Sequence, residues 1–208
     1  MYMVIMENVM RKILSILFYT VAAVAAATAD EASVRILKNI ESSLAALGAY
    51  RAEFEMTAGD YTVRGEYCVS GDDFYMKADD TEVYAADGVR REVSASKREI
   101  VVDGIDTAAR DIVSNPARGF SLLLEDFDSA ATTEGGRTCV VLSPKPESAM
   151  RETIAVFVDA DGKYPTEIVY GTDAGNVAVR LLSVKAMAGD IPRFDAAKYE
   201  GYETVDFR

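Results

Sequence analysis

Catalysis needs side chains that can attack, protonate or ligate, and the most versatile of them is missing here: the 208 residues contain no histidine. Ser-His and Cys-His nucleophilic pairs are thereby excluded, along with the commonest metal ligand. Carboxylates remain. Asp72 with Asp73, Asp79 with Asp80, and Glu125 with Asp126 are adjacent acids of the kind that could cut a glycosidic bond, but they fall at turn signals or on the polar side of a helix, where a solvated-surface reading is favoured. Asp159-Ala160-Asp161-Gly162 resembles the start of a calcium loop. It lacks the distal Glu such a loop needs and is flanked by strand-like runs, which favours a hairpin turn. The glycines sit singly at turns, so no phosphate-binding loop is expected, and no cofactor is implied.

Two cysteines, Cys68 and Cys139, both lie in strand-like runs, and either a disulfide or two buried thiols fits the sequence. The net charge of -12 and a pI near 4.5 argue against a nucleic-acid partner, since counterion release needs clustered Lys and Arg. Acidity also disfavours lying on anionic headgroups. What the chain offers instead is a surplus of flexible apolar groups on one strand face, with Phe54, Met56, Val63, Tyr67, Phe74 and Met76 at alternating positions. Methionine and aromatics suit a pocket that accepts variable apolar shapes, although an ordinary filled core has the same pattern.

The elements that must position these groups follow from periodicity. Arg11 and Lys12 precede the uncharged apolar run from Ile13 to Ala26 and the small triplet Ala27-Thr28-Ala29, the layout of a secretory signal cleaved before Asp30. The domain expected is 30–208, with 1–29 removed. Because the run is short for a membrane span and Asp30 rather than Cys follows the cut, a soluble exported product is expected.

From Glu31 to Leu47, Val34, Leu37, Ile40, Leu44 and Leu47 recur at helical spacing, and Gly48 stands where a left-handed cap belongs. The period then becomes two over Tyr50 to Met56, Tyr61 to Val69 and Phe74 to Ala78, a three-strand meander, followed by short strands near Val83, Val89 to Val93 and Glu99 to Val102. Asn115-Pro116 opens a second helix over Ala117 to Phe127, with Phe120, Leu123, Leu124 and Phe127 on one stripe. Strands resume at Arg137 to Leu142, Thr153 to Val158, Tyr164 to Tyr170 and Val177 to Val184, and a last strand runs from Glu203 to Arg208. The expected fold is mainly β (α+β): an incomplete antiparallel β-barrel of about ten strands, covered by the N-terminal amphipathic helix and a short lid helix.

The order of these pieces resembles the periplasmic outer-membrane lipoprotein carriers, the LolA-like family, in a divergent branch. The resemblance runs over nearly all of Glu31 to Arg208 and is sharpest at "AADGVRREV" (Ala85 to Val93), "NPARGFSLLL" (Asn115 to Leu124), "VVLSPKP" (Val140 to Pro146) and "VFVDADGKYPTEIVY" (Val156 to Tyr170). It implies a non-enzymatic, monomeric periplasmic protein whose hollow shelters lipoprotein acyl chains. It also implies an inner-membrane release complex and an outer-membrane acceptor as partners. On this reading Phe54, Met56, Val63, Tyr67, Phe74 and Met76 line the hollow, and Leu123, Leu124 and Phe127 form the lid. Two departures stand out: Val69-Ser70-Gly71 replaces the Arg-Pro pair that latches the lid, and Arg90 and Arg91 replace the aromatic after the Asp-Gly turn. A regulatory protein of the same fold is the rival reading, and a carboxylate hydrolase is the least supported.

Overall fold

The structure, a computed structural model, describes residues 30–105, 119–148, 150–172 and 175–208, and within the second helix the side chains from 123 onward. The expected signal segment, Asn115-Pro116 and the side chain of Phe120 lie outside the described residues.

Helix α1 spans Glu31–Ala46. Asp30 caps it in extended conformation, its Oδ1 accepting from the Ser33 amide at 2.5 Å, and Gly48 ends the turn at φ 69°. Strands β1 to β6 follow as a meander: Ala49–Ala58, Tyr61–Ser70, Asp73–Ala78, Thr81–Ala86, Val89–Ser94 and Glu99–Gly104. Helix α2, Gly119–Asp126, leads into β7 (Phe127–Glu134), β8 (Arg137–Pro144), β9 (Thr153–Val158), β10 (Pro165–Thr172) and β11 (Gly175–Ala186). A 3-10 turn at Ala196–Tyr199 precedes β12, Glu203–Asp206.

All twelve strands form one sheet in the order β12-β6-β5-β4-β3-β2-β1-β11-β10-β9-β8-β7, whose two ends are not joined, as an incomplete barrel requires. Three expectations need correction. Among the described residues the strands number twelve rather than about ten, and β7 escapes a reading by periodicity because Ser129-Ala130-Ala131-Thr132-Thr133 are small side chains with no hydrophobic alternation. Phe127 opens β7 rather than ending α2. The sheet is not antiparallel throughout, since β12 pairs parallel with β6, Thr204 opposite Ile100 and Asp206 opposite Val102.

One face of the sheet receives the helices. Leu37 and Ile40 of α1 and Leu123 of α2 join Phe127, Val140, Leu142, Ile154, Val156, Val158 and Ile168 in one buried cluster. On the other half of this helix face, Leu44, Leu47 and Ile105 pack on Tyr50, Val69, Phe74, Val83 and Ala85. The opposite face is covered over β2 to β6 by the C-terminal tail, where Ile191, Phe194, Tyr199 and Tyr202 sit on Cys68, Tyr75, Tyr84, Val93, Ile100 and Val102. The expected terminal strand therefore does close one lip of the sheet, but it gets there across the back.

Both cysteines are free and buried on the tail-side positions of β2 and β8. Five strand spacings of about 4.8 Å separate these strands along the sheet, far more than the roughly 7 Å between Cα atoms that a disulfide tolerates. Of the two readings, buried thiols are the correct one. Burial pushes the Cys139 thiol up to about 11, so it is protonated and inert.

Candidate functional site: the helix face of the sheet

Register decides which side chains meet. Strand β1 pairs with β2 so that Ala52 opposes Tyr67, Phe54 opposes Gly65, and Met56 opposes Val63. Strand β3 continues those rows, with Met76 opposite Tyr67 and Phe74 opposite Val69. Because side chains of directly opposed residues lie on the same face, all six meander residues expected to line a hollow share the helix face.

The row does not stop at β1. On its other side β11 puts Val179 opposite Met56 and Leu181 opposite Phe54, and β10 adds Ile168 opposite Val179 and Tyr170 opposite Val177. Sequence reasoning misses these residues, because alternation marks Val177 to Val184 as a strand without naming its neighbour. A bulge makes the contact: Glu53 pairs with Ser183 but Phe54 with Leu181, so Leu182 is extra and stands exposed. The bulge lets Leu181 and Val184 face the same side despite a spacing that simple alternation would put on opposite faces.

Burial separates the nine expected residues into two groups. Phe54, Phe74, Leu123 and Phe127 are buried, at 6%, 2%, 0% and 0% exposure, and serve as packed core. Met56, Val63, Tyr67, Met76 and Leu124 are half-buried and present apolar surface. The Tyr67 ring meets Phe54 at 6.0 Å and Tyr50 edge-on at 6.3 Å. Burial pushes the hydroxyls of Tyr50 and Tyr67 above the usual tyrosine range, which keeps both protonated and neutral.

The apolar rows end on charge. Arg90, opposite Ala85 and Asp103, is only 8% exposed; its guanidinium donates to Glu92 at 2.7 Å and lies 3.5 Å from the Asp103 carboxylate. Its neighbour Arg91 goes to the tail face, 5.2 Å from the centre of the Phe194 ring. The two arginines that replace the expected aromatic thus do different work, one as a paired charge at the rim of the helix face and one under the tail.

Two of the adjacent acids have structural partners. Asp73 pairs with Arg193 at 2.8 Å, and Asp80 accepts from the Ser96 amide at 3.2 Å across a hairpin end. Asp159 Oδ1 accepts from the amides of Lys163 and Tyr164, and Gly162 takes φ 63°, a closed turn rather than a calcium loop. Among the described residues no group of three or more acids or cysteines could hold a metal ion. Within them, too, no helix is long and apolar enough to cross a membrane.

No family model matches the chain, and no curated protein matches it. Solved structures do. An uncharacterized conserved protein from Thermus thermophilus shares 8% identity with it over 85% of this chain and 99% of that one, with a TM-score of 0.53, a likeness that shows a shared fold. A LolA superfamily protein from Nitrosomonas europaea is similar at 8% identity over 79% of this chain and 96% of that one, with a TM-score of 0.41. The MucB of a Pseudomonas aeruginosa MucA/MucB complex is similar at 16% identity over 82% of this chain, which spans 61% of that protein, with a TM-score of 0.36. A LolA superfamily protein stands among the solved structures similar to this chain, and the likeness that shows a shared fold is the one to the Thermus thermophilus protein.

Proposed function

We propose that this is an exported carrier that shelters acyl chains of a lipoprotein or related lipid against the helix face, with residues 1–29 acting as its cleaved signal. The observation that carries the reading is that five apolar side chains of the helix face stay half-buried: Tyr67 and Met76 packed on one core cluster, Leu124 on the other, and Met56 and Val63 opposite each other in neither. Flexible Met and Leu adapt to a chain of variable shape. Each buried methylene contributes about 0.8 kcal/mol, so an acyl chain of roughly sixteen carbons gains on the order of 10 kcal/mol from such shelter. The chain does no covalent chemistry on this reading. It binds, crosses the periplasm and releases.

Native mass spectrometry of protein purified from an exported fraction tests the proposal, with a co-purifying lipidated species expected. Binding of a fluorescent fatty acyl probe should fall at least about tenfold in Met76→Asp and Leu124→Asp, because a carboxylate must then be buried against the alkyl chain. Undiminished binding in folded variants would remove the helix face as the site. The rival regulatory reading predicts instead a protein rather than a lipid in the co-purified fraction.

A further inference from the structure

The helix face is apolar, yet it carries hydroxyls. Followed through the register, the helix-face positions of β1 to β4, β10 and β11 hold no charged side chain, and charge begins only at Arg90 and Glu92 on β5. Tyrosines stand among them. Tyr67 lies mid-face between Ala52 and Met76, its ring 6.0 Å from Phe54 and 6.3 Å from the edge-on ring of Tyr50. Tyr170 comes from the other side, opposite Val177 and packed on the cluster that holds Leu37 and Ile40.

Tyr67 combines two properties that rarely coincide. Its side chain keeps accessible surface, being half-buried, while burial, and after it the phenols of Tyr50 and Tyr170, push its hydroxyl far above the usual tyrosine range. Accessible surface at so desolvated a point belongs to a recess and not to open solvent. Tyr50, its neighbour, is raised by burial alone. Among the described residues no hydrogen bond reaches the hydroxyl of either one. Polar groups at buried positions are normally paired, so these two donors are set for an acceptor that the chain itself does not supply.

Charge decides which acceptor. A carboxylate placed beside Tyr67 would give up its water and meet no cation, since the nearest guanidinium on the face, that of Arg90, is four strands away from β1 and already paired with Glu92 and Asp103. An ester or amide carbonyl accepts the same hydrogen bond and brings no charge. Met76 directly opposite Tyr67 and Met56 opposite Val63 then offer adaptable apolar surface to the methylenes that follow the carbonyl.

We propose that Tyr67, with Tyr50 beside it, determines the specificity of the helix face by donating a hydrogen bond to the uncharged carbonyl of an ester- or amide-linked acyl chain. The inference rests on the carrier reading and adds the chemical class of its ligand: an acylated molecule, and not a free fatty acid.

Displacement of a fluorescent acyl probe from the full chain tests this, with methyl laurate, N-methyl lauramide, dodecane and laurate as competitors, on wild type and on Tyr67→Phe, which keeps the ring contacts. The variant should hold the ester or the amide about three- to tenfold more weakly. Dodecane and laurate should bind it as they bind wild type, because the alkane has no acceptor and the carboxylate keeps its head in water. Tyr50→Phe should show the same pattern at smaller size. No loss for either carbonyl ligand in Tyr67→Phe, or an equal loss for dodecane, in a variant with a wild-type thermal melt overturns Tyr67 as the donor. A loss for laurate equal to that for its methyl ester overturns the choice of an uncharged acceptor. A wild-type chain that binds neither probe nor dodecane overturns the carrier reading itself, an outcome distinct from the other two.

Discussion

The ring of Phe54 fills the space above Gly65. A β-carbon at position 65 would come within 2.9 Å of Phe54 Cε1 and 2.5 Å of the Lys77 carbonyl oxygen. Gly65 lies mid-strand in β2, where glycine weakens a sheet unless something approaches closely, and here both a ring and a neighbouring backbone do. Gly65→Ala should therefore destabilise the fold by roughly 1–3 kcal/mol in denaturant titration. Adding Phe54→Ala should relieve the ring contact but not the clash with the Lys77 backbone. The double variant should then stay less stable than Phe54→Ala alone.

Asp30 joins the first helix to the far edge of the sheet. Its Oδ1 caps α1, its Oδ2 accepts from the Ala131 amide at 2.8 Å, and its own amide donates to the Ser129 carbonyl at 3.0 Å. Hydrogen bonds from Ser33 and Ala131 hold its carboxyl below the usual range despite some burial. Asp30→Ala should cost about 1–2 kcal/mol. Hydrogen exchange should quicken at the amides of Ser33 and Ala131 and leave β3 and β4 unchanged.

Glu82 gives the tail an acid limit. Burial raises its pKa, but hydrogen bonds from Tyr84, Lys77 and Tyr199 outweigh this and bring it from 4.5 down to about 2. A depressed carboxylate stabilises the folded state above its unfolded pKa and loses that contribution as pH falls through the folded one. The stabilisation is present in full above pH 4.5 and gone below about pH 2. The stability difference between wild type and Glu82→Gln, followed by urea unfolding from pH 7 to 2, should shrink toward zero over that window.

Core and lining can be told apart by paired substitutions on one face. Leu123 is fully buried against Leu37 and Ile40, so Leu123→Ala should cost about 2–5 kcal/mol through the cavity it leaves. Met76 is half-buried, so Met76→Ala should cost less while weakening an acyl probe more. Thermal melts and probe titrations on the two variants check the crossover.

Much of the fold was legible because apolar spacing records burial directly. Val34, Leu37, Ile40 and Leu44 have helical spacing, and Tyr50, Ala52, Phe54 and Met56 alternate because one side of β1 faces the core. The phase of that alternation was enough to put all six meander residues on one face.

Alternation says which face is buried but not what covers it or which strand lies alongside. That β11 flanks β1, so that Val179 and Leu181 extend the apolar band, depends on closure between segments more than a hundred residues apart and on a bulge at Leu182 that reverses the phase. The separation of Cys68 from Cys139, the division of Arg90 and Arg91 between opposite faces, and the parallel seat of β12 have the same origin. Local sequence sets the conformation of each segment, whereas neighbours are chosen by the packing of the whole sheet, and it is that packing which put the tail on the back and left the other face to the helices.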